Sequence, residues 1–120
     1  MATILVLDDE AAVRMLLRTV LESAGYEVLD APDGKAGLTL YRQRAADLVI
    51  TDICMPTLDG LGLMIELTRE FLDVKVIAMS GVPGKLELLG RAKLLGARQT
   101  LHKPFDMKEL LSAVKYELDH

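Results

Sequence analysis

Short, continuously apolar runs alternate with longer amphipathic stretches along this chain. The short runs are Ile4–Leu7, Val28–Leu29, Leu48–Ile50 and Val74–Met79, with a weaker one around Gln99–His102. The first and fourth are the clearest. They do not alternate apolar with polar positions, so both faces of those strands are expected to be covered.

The longer stretches carry apolar residues at helical spacing. Val13, Leu16, Leu17, Val20, Leu21 and Ala24 form one stripe, with Gly25 as its stop. Asp33 is the expected N-cap of a second helix running through Arg44. Leu63, Met64, Leu67 and Phe71 make a third stripe, with Asp59 and Gly60 shaping its start. Lys85–Leu95 is a fourth, ended by Gly96. Met107, Leu110, Leu111, Val114 and Leu118 make a fifth, opened by Asp106 as cap.

Strands joined by helices run parallel, because a tight hairpin cannot join parallel neighbours. Crossovers of this kind are right-handed. The expected fold is an α/β, flavodoxin-like (βα)5 doubly wound parallel sheet over a single domain, residues 1–120. Its strand order, taken as the commonest solution at this length, is 2-1-3-4-5.

Composition narrows the function. Hydrophobic residues make up 51% of the 120 positions, enough for a core without metal or disulfide staples. The net charge of -4 speaks against direct nucleic-acid binding, and no Lys- and Arg-rich window suggests a membrane surface. Cys54 is the lone cysteine, so an internal disulfide is excluded. The opening MATILVLDDE lacks the basic start of a signal peptide, and no apolar run is long enough to span a bilayer. A cytoplasmic location is the expectation.

In open parallel sheets, ligands bind beyond the carboxyl ends of the strands, where strand order reverses. Here strand one ends in Asp8-Asp9, strand three in Thr51-Asp52, strand four in Ser80-Gly81 and strand five in Lys103-Pro104. Three carboxylates on one rim repel, and a hard divalent cation relieves that repulsion. Mg²⁺ takes one or two carboxylates together with water and phosphate oxygens. Lys103 then supplies a point charge for a phosphate oxygen, and the Ser80 hydroxyl another donor. Taken singly, Asp8 and Asp9 could be helix-capping residues and Asp52 a turn residue. Together they suit a phosphoryl group carried on a carboxylate.

With these residues in view, the chain resembles the receiver domains of two-component response regulators. The matching motifs are LVLDDE, VITDICMPTLDG, the Ser80-Gly81 pair in IAMSG, and HKPF around Lys103. The resemblance implies that Asp52 accepts the phosphoryl group. It makes Asp9 the direct Mg²⁺ ligand, Asp8 a ligand through water, and the Cys54 main-chain carbonyl the third protein ligand. Ser80 becomes the switch hydroxyl, Lys103 the phosphate-binding lysine, and Lys103–Pro104 a cis peptide. It also implies a sensor histidine kinase or phosphotransfer protein as donor, and a downstream target or attached output domain as receiver of the signal. That signal would pass through the face made by helix four, strand five and helix five. The protein would catalyse only its own phosphorylation and dephosphorylation. One position departs from the family pattern. Thr100 stands where Tyr or Phe is usual, and His102, two residues on, is a candidate substitute ring.

Two other functions fit parts of the pattern. A Mg²⁺-dependent phosphatase with an aspartate nucleophile would use Asp-x-Asp, but here the second position is Cys54. A flavin- or dinucleotide-binding module would need a Gly-rich or hydroxyl-rich loop after strand one, where Asp8 and Asp9 would repel a phosphate. The Cys54 thiol also invites a redox-sensing reading.

Overall fold

The computed structural model describes residues 1–55, 58–81 and 86–120. Strands and helices alternate without exception: β1 (Thr3–Leu7), α1 (Ala11–Ser23), β2 (Glu27–Ala31), α2 (Gly34–Gln43), β3 (Leu48–Asp52), α3 (Gly60–Glu70), β4 (Val76–Ser80), α4 (Leu86–Leu94), β5 (Gln99–His102) and α5 (Met107–Asp119). The five strands form one sheet in the order β2-β1-β3-β4-β5. Every neighbouring pair is parallel. The expected doubly wound architecture and its strand order are both present.

Successive strand residues point to opposite faces, so each strand feeds two cores. Leu5, Leu7, Val49, Val76 and Ala78 pack with Leu38 and Tyr41 of α2, Leu63, Met64 and Leu67 of α3, and Ala92 of α4. On the other face, Ile4, Val6, Leu48, Ile50, Ile77 and Met79 pack with Leu17 and Leu21 of α1 and Leu110, Ala113 and Val114 of α5. β1, β3 and β4 are buried along their whole length, which is why they read as continuous apolar runs.

The boundaries differ from the sequence expectation where position in the sheet decides. β2 is longer than Val28–Leu29 because it is an edge strand and carries the polar residues Glu27 and Asp30. β4 starts at Val76, not Val74, because Val49 of β3 is its first register partner. Val74 is still buried, at the end of the core. The fourth helix matches its expected span to within a residue at the carboxyl end. Its expected first residue, Lys85, lies outside the described residues, as do Pro56 and Thr57 of the VITDICMPTLDG motif.

The helix ends follow the local chemistry. Asp33 accepts from the Ala36 N–H at 2.8 Å, Asp59 from Gly62 at 2.8 Å and Asp106 from Glu109 at 2.7 Å, so each caps its helix. Gly25 and Gly96 end α1 and α4 with φ of 95° and 116°, a conformation that favours glycine.

Candidate functional site

The parallel arrangement puts the carboxyl ends of β1, β3, β4 and β5 along one rim. Asp8 follows β1 and is fully buried, while Asp9, next along, is exposed. Asp52 ends β3 and Ser80 ends β4, both buried. Lys103 follows β5, and its main-chain N–H donates to the Ser80 carbonyl at 2.7 Å, so β4 fixes where the lysine leaves the sheet. The Lys103–Pro104 peptide is cis, as expected.

The side chains converge. Lys103 Nζ donates to Asp8 Oδ2 at 2.7 Å and to Asp52 Oδ2 at 3.0 Å, tying residues far apart in sequence into one cluster. Asp8, Asp9 and Asp52 each offer a carboxylate oxygen within 4.8 Å of the others. The donors are hard oxygens, as Mg²⁺ requires.

Each carboxylate is aimed by a local bond. Glu10 N–H donates to Asp8 Oδ1 at 2.9 Å, and Cys54 N–H donates to Asp52 Oδ1 at 2.8 Å. The second of these turns the chain back over Asp52 and leaves Cys54 half-buried beside it. Gly60, the first residue of α3, packs on the same turn. A Cβ there would lie 2.4 Å from the Asp52 carbonyl oxygen, so only glycine admits this approach.

Burial works against the charge on Lys103. The hydrogen bonds and charges of Asp8 and Asp52 outweigh it and hold the ammonium above the ordinary lysine pKa. Among the described residues, one ammonium bonds to two of the three carboxylates. Among them too, the buried Ser80 hydroxyl has no hydrogen-bond partner. Glu10, Asp52, Gly81, Lys103 and Pro104 line a shallow cavity of about 300 Å³ over the cluster. This arrangement brings three carboxylates and one ammonium together beside one small opening.

The side chains of Asp8, Asp9, Asp52 and Lys103 thus meet at this rim, and Ser80 ends the neighbouring strand β4. Thr100 is half-buried on β5 and lines a groove of about 820 Å³ between β5 and α5. His102 is exposed. Tyr116 of α5 also lines the groove, is itself exposed, and stacks on His120 with ring centroids 4.1 Å apart. Sequence reading missed Arg14. Its guanidinium donates to the Asp8 carbonyl at 2.6 Å.

Comparison with known proteins agrees with this geometry. The chain is 38% identical over 112 residues to a probable transcriptional regulator, ycf27, of Porphyridium aerugineum, a match covering 93% of this chain and 46% of that protein. The chain thus spans about half the length of such curated relatives. It is 33% identical to sporulation initiation phosphotransferase F of Bacillus subtilis, over 93% of this chain and 90% of that protein. The crystal structure of a response regulator receiver domain protein from Clostridium thermocellum superposes with a TM-score of 0.93 at 32% identity, covering 99% of this chain and 95% of that one. The family model described as the response regulator receiver domain matches residues 4–115. With that match over nearly the whole chain, and the rim residues meeting in space, this chain belongs to the response regulator receiver domain family.

Proposed function

We propose that the chain is a phosphoacceptor switch of a two-component or phosphorelay system, in which Asp52 takes a phosphoryl group from the phosphohistidine of a sensor histidine kinase or phosphotransfer protein. The observation that carries this reading is Lys103 Nζ held between Asp8 and Asp52, with Asp9 completing a cluster of three carboxylates.

The step is an in-line displacement. An Asp52 oxygen bonds to phosphorus as the phosphorus–nitrogen bond breaks, and the imidazole leaves with that electron pair. A carboxylate nucleophile needs no general base. Asp8, Asp9, Asp52 and the Cys54 carbonyl would hold Mg²⁺, which neutralises charge on the phosphoryl oxygens when bound. Lys103 gives its ammonium to one phosphoryl oxygen and keeps Asp52 oriented. Ser80 donates its unpartnered hydroxyl to another, which draws the end of β4 toward Asp52. The chain acts on itself rather than turning over external substrates.

The response passes to the face of α4, β5 and α5, and from there to a target protein or an attached output domain. Thr100 cannot fill an aromatic-sized site, so the response at this face runs without the usual ring. None of the described helices is long and apolar enough to cross a membrane.

Intact mass after incubation with acetyl phosphate and Mg²⁺ tests the reading. One added phosphoryl group is expected, absent from Asp52→Asn and from samples treated with a chelator. Labelling that persists in Asp52→Asn would overturn it. Sustained hydrolysis of unrelated phosphate esters would favour the aspartate-nucleophile phosphatase instead.

A further inference from the structure

We propose that Arg14 is a positioning residue for the cation site, a brace that holds the Asp8-Asp9 turn against the mutual repulsion of the rim carboxylates. The proposal rests on the Mg²⁺-binding part of the reading above. Asp8 is fully buried, and each of its other polar groups is engaged. Its N–H donates to the Ala31 carbonyl at 3.3 Å. Its Oδ1 accepts from Glu10 N–H, and its Oδ2 accepts from Lys103. The carbonyl remains, and Arg14 takes it, with Nη1 donating at 2.6 Å.

Arg14 is itself held in place. Its Nε is buried, has no hydrogen-bond partner among the described residues, and stands 3.8 Å from Asp30 Oδ1. Asp30 lies on β2 opposite Val6, and its Oδ2 pairs with Arg18 at 2.8 Å. Arg18 in turn lies 3.5 Å from Glu22 Oε1 on the next turn of α1. The Asp8 carbonyl is thus tied through Arg14 to the edge strand on one side and to α1 on the other.

Two effects of Arg14 on a bound cation oppose each other. Its positive charge, near the rim, repels Mg²⁺. Its bond to a main-chain carbonyl, not to a carboxylate, leaves the ligand oxygens free and fixes the turn that carries them. Lys103 does the reverse, since it occupies carboxylate oxygens directly. The brace and the charge therefore predict opposite signs when Arg14 is removed.

The test is Mg²⁺ affinity of the unphosphorylated full chain, measured by NMR titration of wild type, Arg14→Met, Arg14→Lys and Asp30→Asn. Arg14→Met is expected to weaken binding about tenfold, the lower end of the range for residues that orient metal ligands. Asp30→Asn should weaken it less, and Arg14→Lys should restore part of the loss. Unchanged or tighter binding in Arg14→Met would overturn the proposal. Should that variant fail to fold, Asp30→Asn carries the test, because it keeps Arg14 and weakens its anchor, together with the pairing of Asp30 to Arg18; unchanged affinity there would overturn the brace. Wild-type protein that binds no Mg²⁺ would remove the metal reading itself, a result distinct from a null effect of Arg14, and the brace would fall with it.

Discussion

At the amino end of the sheet, polar groups meet in pairs. Thr3 N–H donates to Asp47 Oδ2 at 2.7 Å, Lys75 Nζ donates to the Glu117 carbonyl at 2.6 Å, and Arg44 pairs with Glu27. Tyr41 and Phe71 meet edge to face at 4.8 Å beside them. At the carboxyl end, one ammonium serves two buried carboxylates, a third carboxylate stands within 4.8 Å, and a buried hydroxyl has no partner. The same strands build both ends, so the backbone does not explain the difference. The amino end spends its polar residues on holding the sheet, whereas the carboxyl end keeps an imbalance that a cation and a phosphoryl group would relieve. Functional sites commonly hold such unfavourable groupings, which the rest of the fold must outweigh.

Replacing Lys103 by Met gives the largest expected effect and is the most direct way to break this contrast. Asp8 is fully buried, and the substitution leaves its Oδ2 and that of Asp52 without their cation. Removing one member of a buried ion pair costs about 3 kcal/mol or more. Urea unfolding in metal-free buffer should show a loss of that size, and Mg²⁺ should recover part of it by binding the folded state. A loss of a few tenths of a kcal/mol would mean that the rim is no more strained than the amino end.

Two hydroxyls sharpen the comparison on a smaller scale. Thr51 donates to the Asp52 carbonyl at 2.9 Å, while Ser80 Oγ has no partner, though both are buried. Thr51→Val should cost about 1 kcal/mol, the usual worth of a satisfied hydrogen bond. Ser80→Ala should be neutral or stabilising by up to about 1 kcal/mol, because it removes an unpaired polar group. Equal losses in the two variants, read from urea midpoints, would contradict the orphaned state of Ser80.

Much of this contrast was legible before the structure. Ile4–Leu7 and Val74–Met79 read as strands because helices cover both faces of β1 and β4, which leaves few polar positions to blur the runs. The rim residues were legible because each sits where its strand must end. β2 was under-read for the opposite reason: as an edge strand it hides its length behind Glu27 and Asp30, whose partners Arg44 and Arg18 are far away in sequence. Arg14 was missed because it is an ordinary helix residue by periodicity. Its role comes from a neighbour that only the packed fold supplies, the Asp8 carbonyl.

The smallest expected effect lies at the amino end and asks whether its groups are as well matched as they look. Burial raises the pKa of the Tyr41 phenol above the ordinary tyrosine value, and the negative charges of Asp47 and Asp73 add to this. The folded protein therefore keeps the Tyr41 proton more tightly than the unfolded chain does. Below about pH 10, the usual tyrosine pKa, both states hold that proton and the stabilising contribution is complete. As pH rises through the unfolded value toward the folded one, the unfolded chain ionises first and the contribution is lost. Wild-type urea midpoints should consequently fall faster between about pH 9 and pH 11 than those of Tyr41→Phe, which has no proton to lose there. The phosphorylation yield at neutral pH should be the same in both, since Tyr41 lies at the opposite end of the strands from Asp52. Parallel pH profiles would show that the phenol feels neither its burial nor the two aspartates. A change in phosphorylation yield would show that the two ends are not independent.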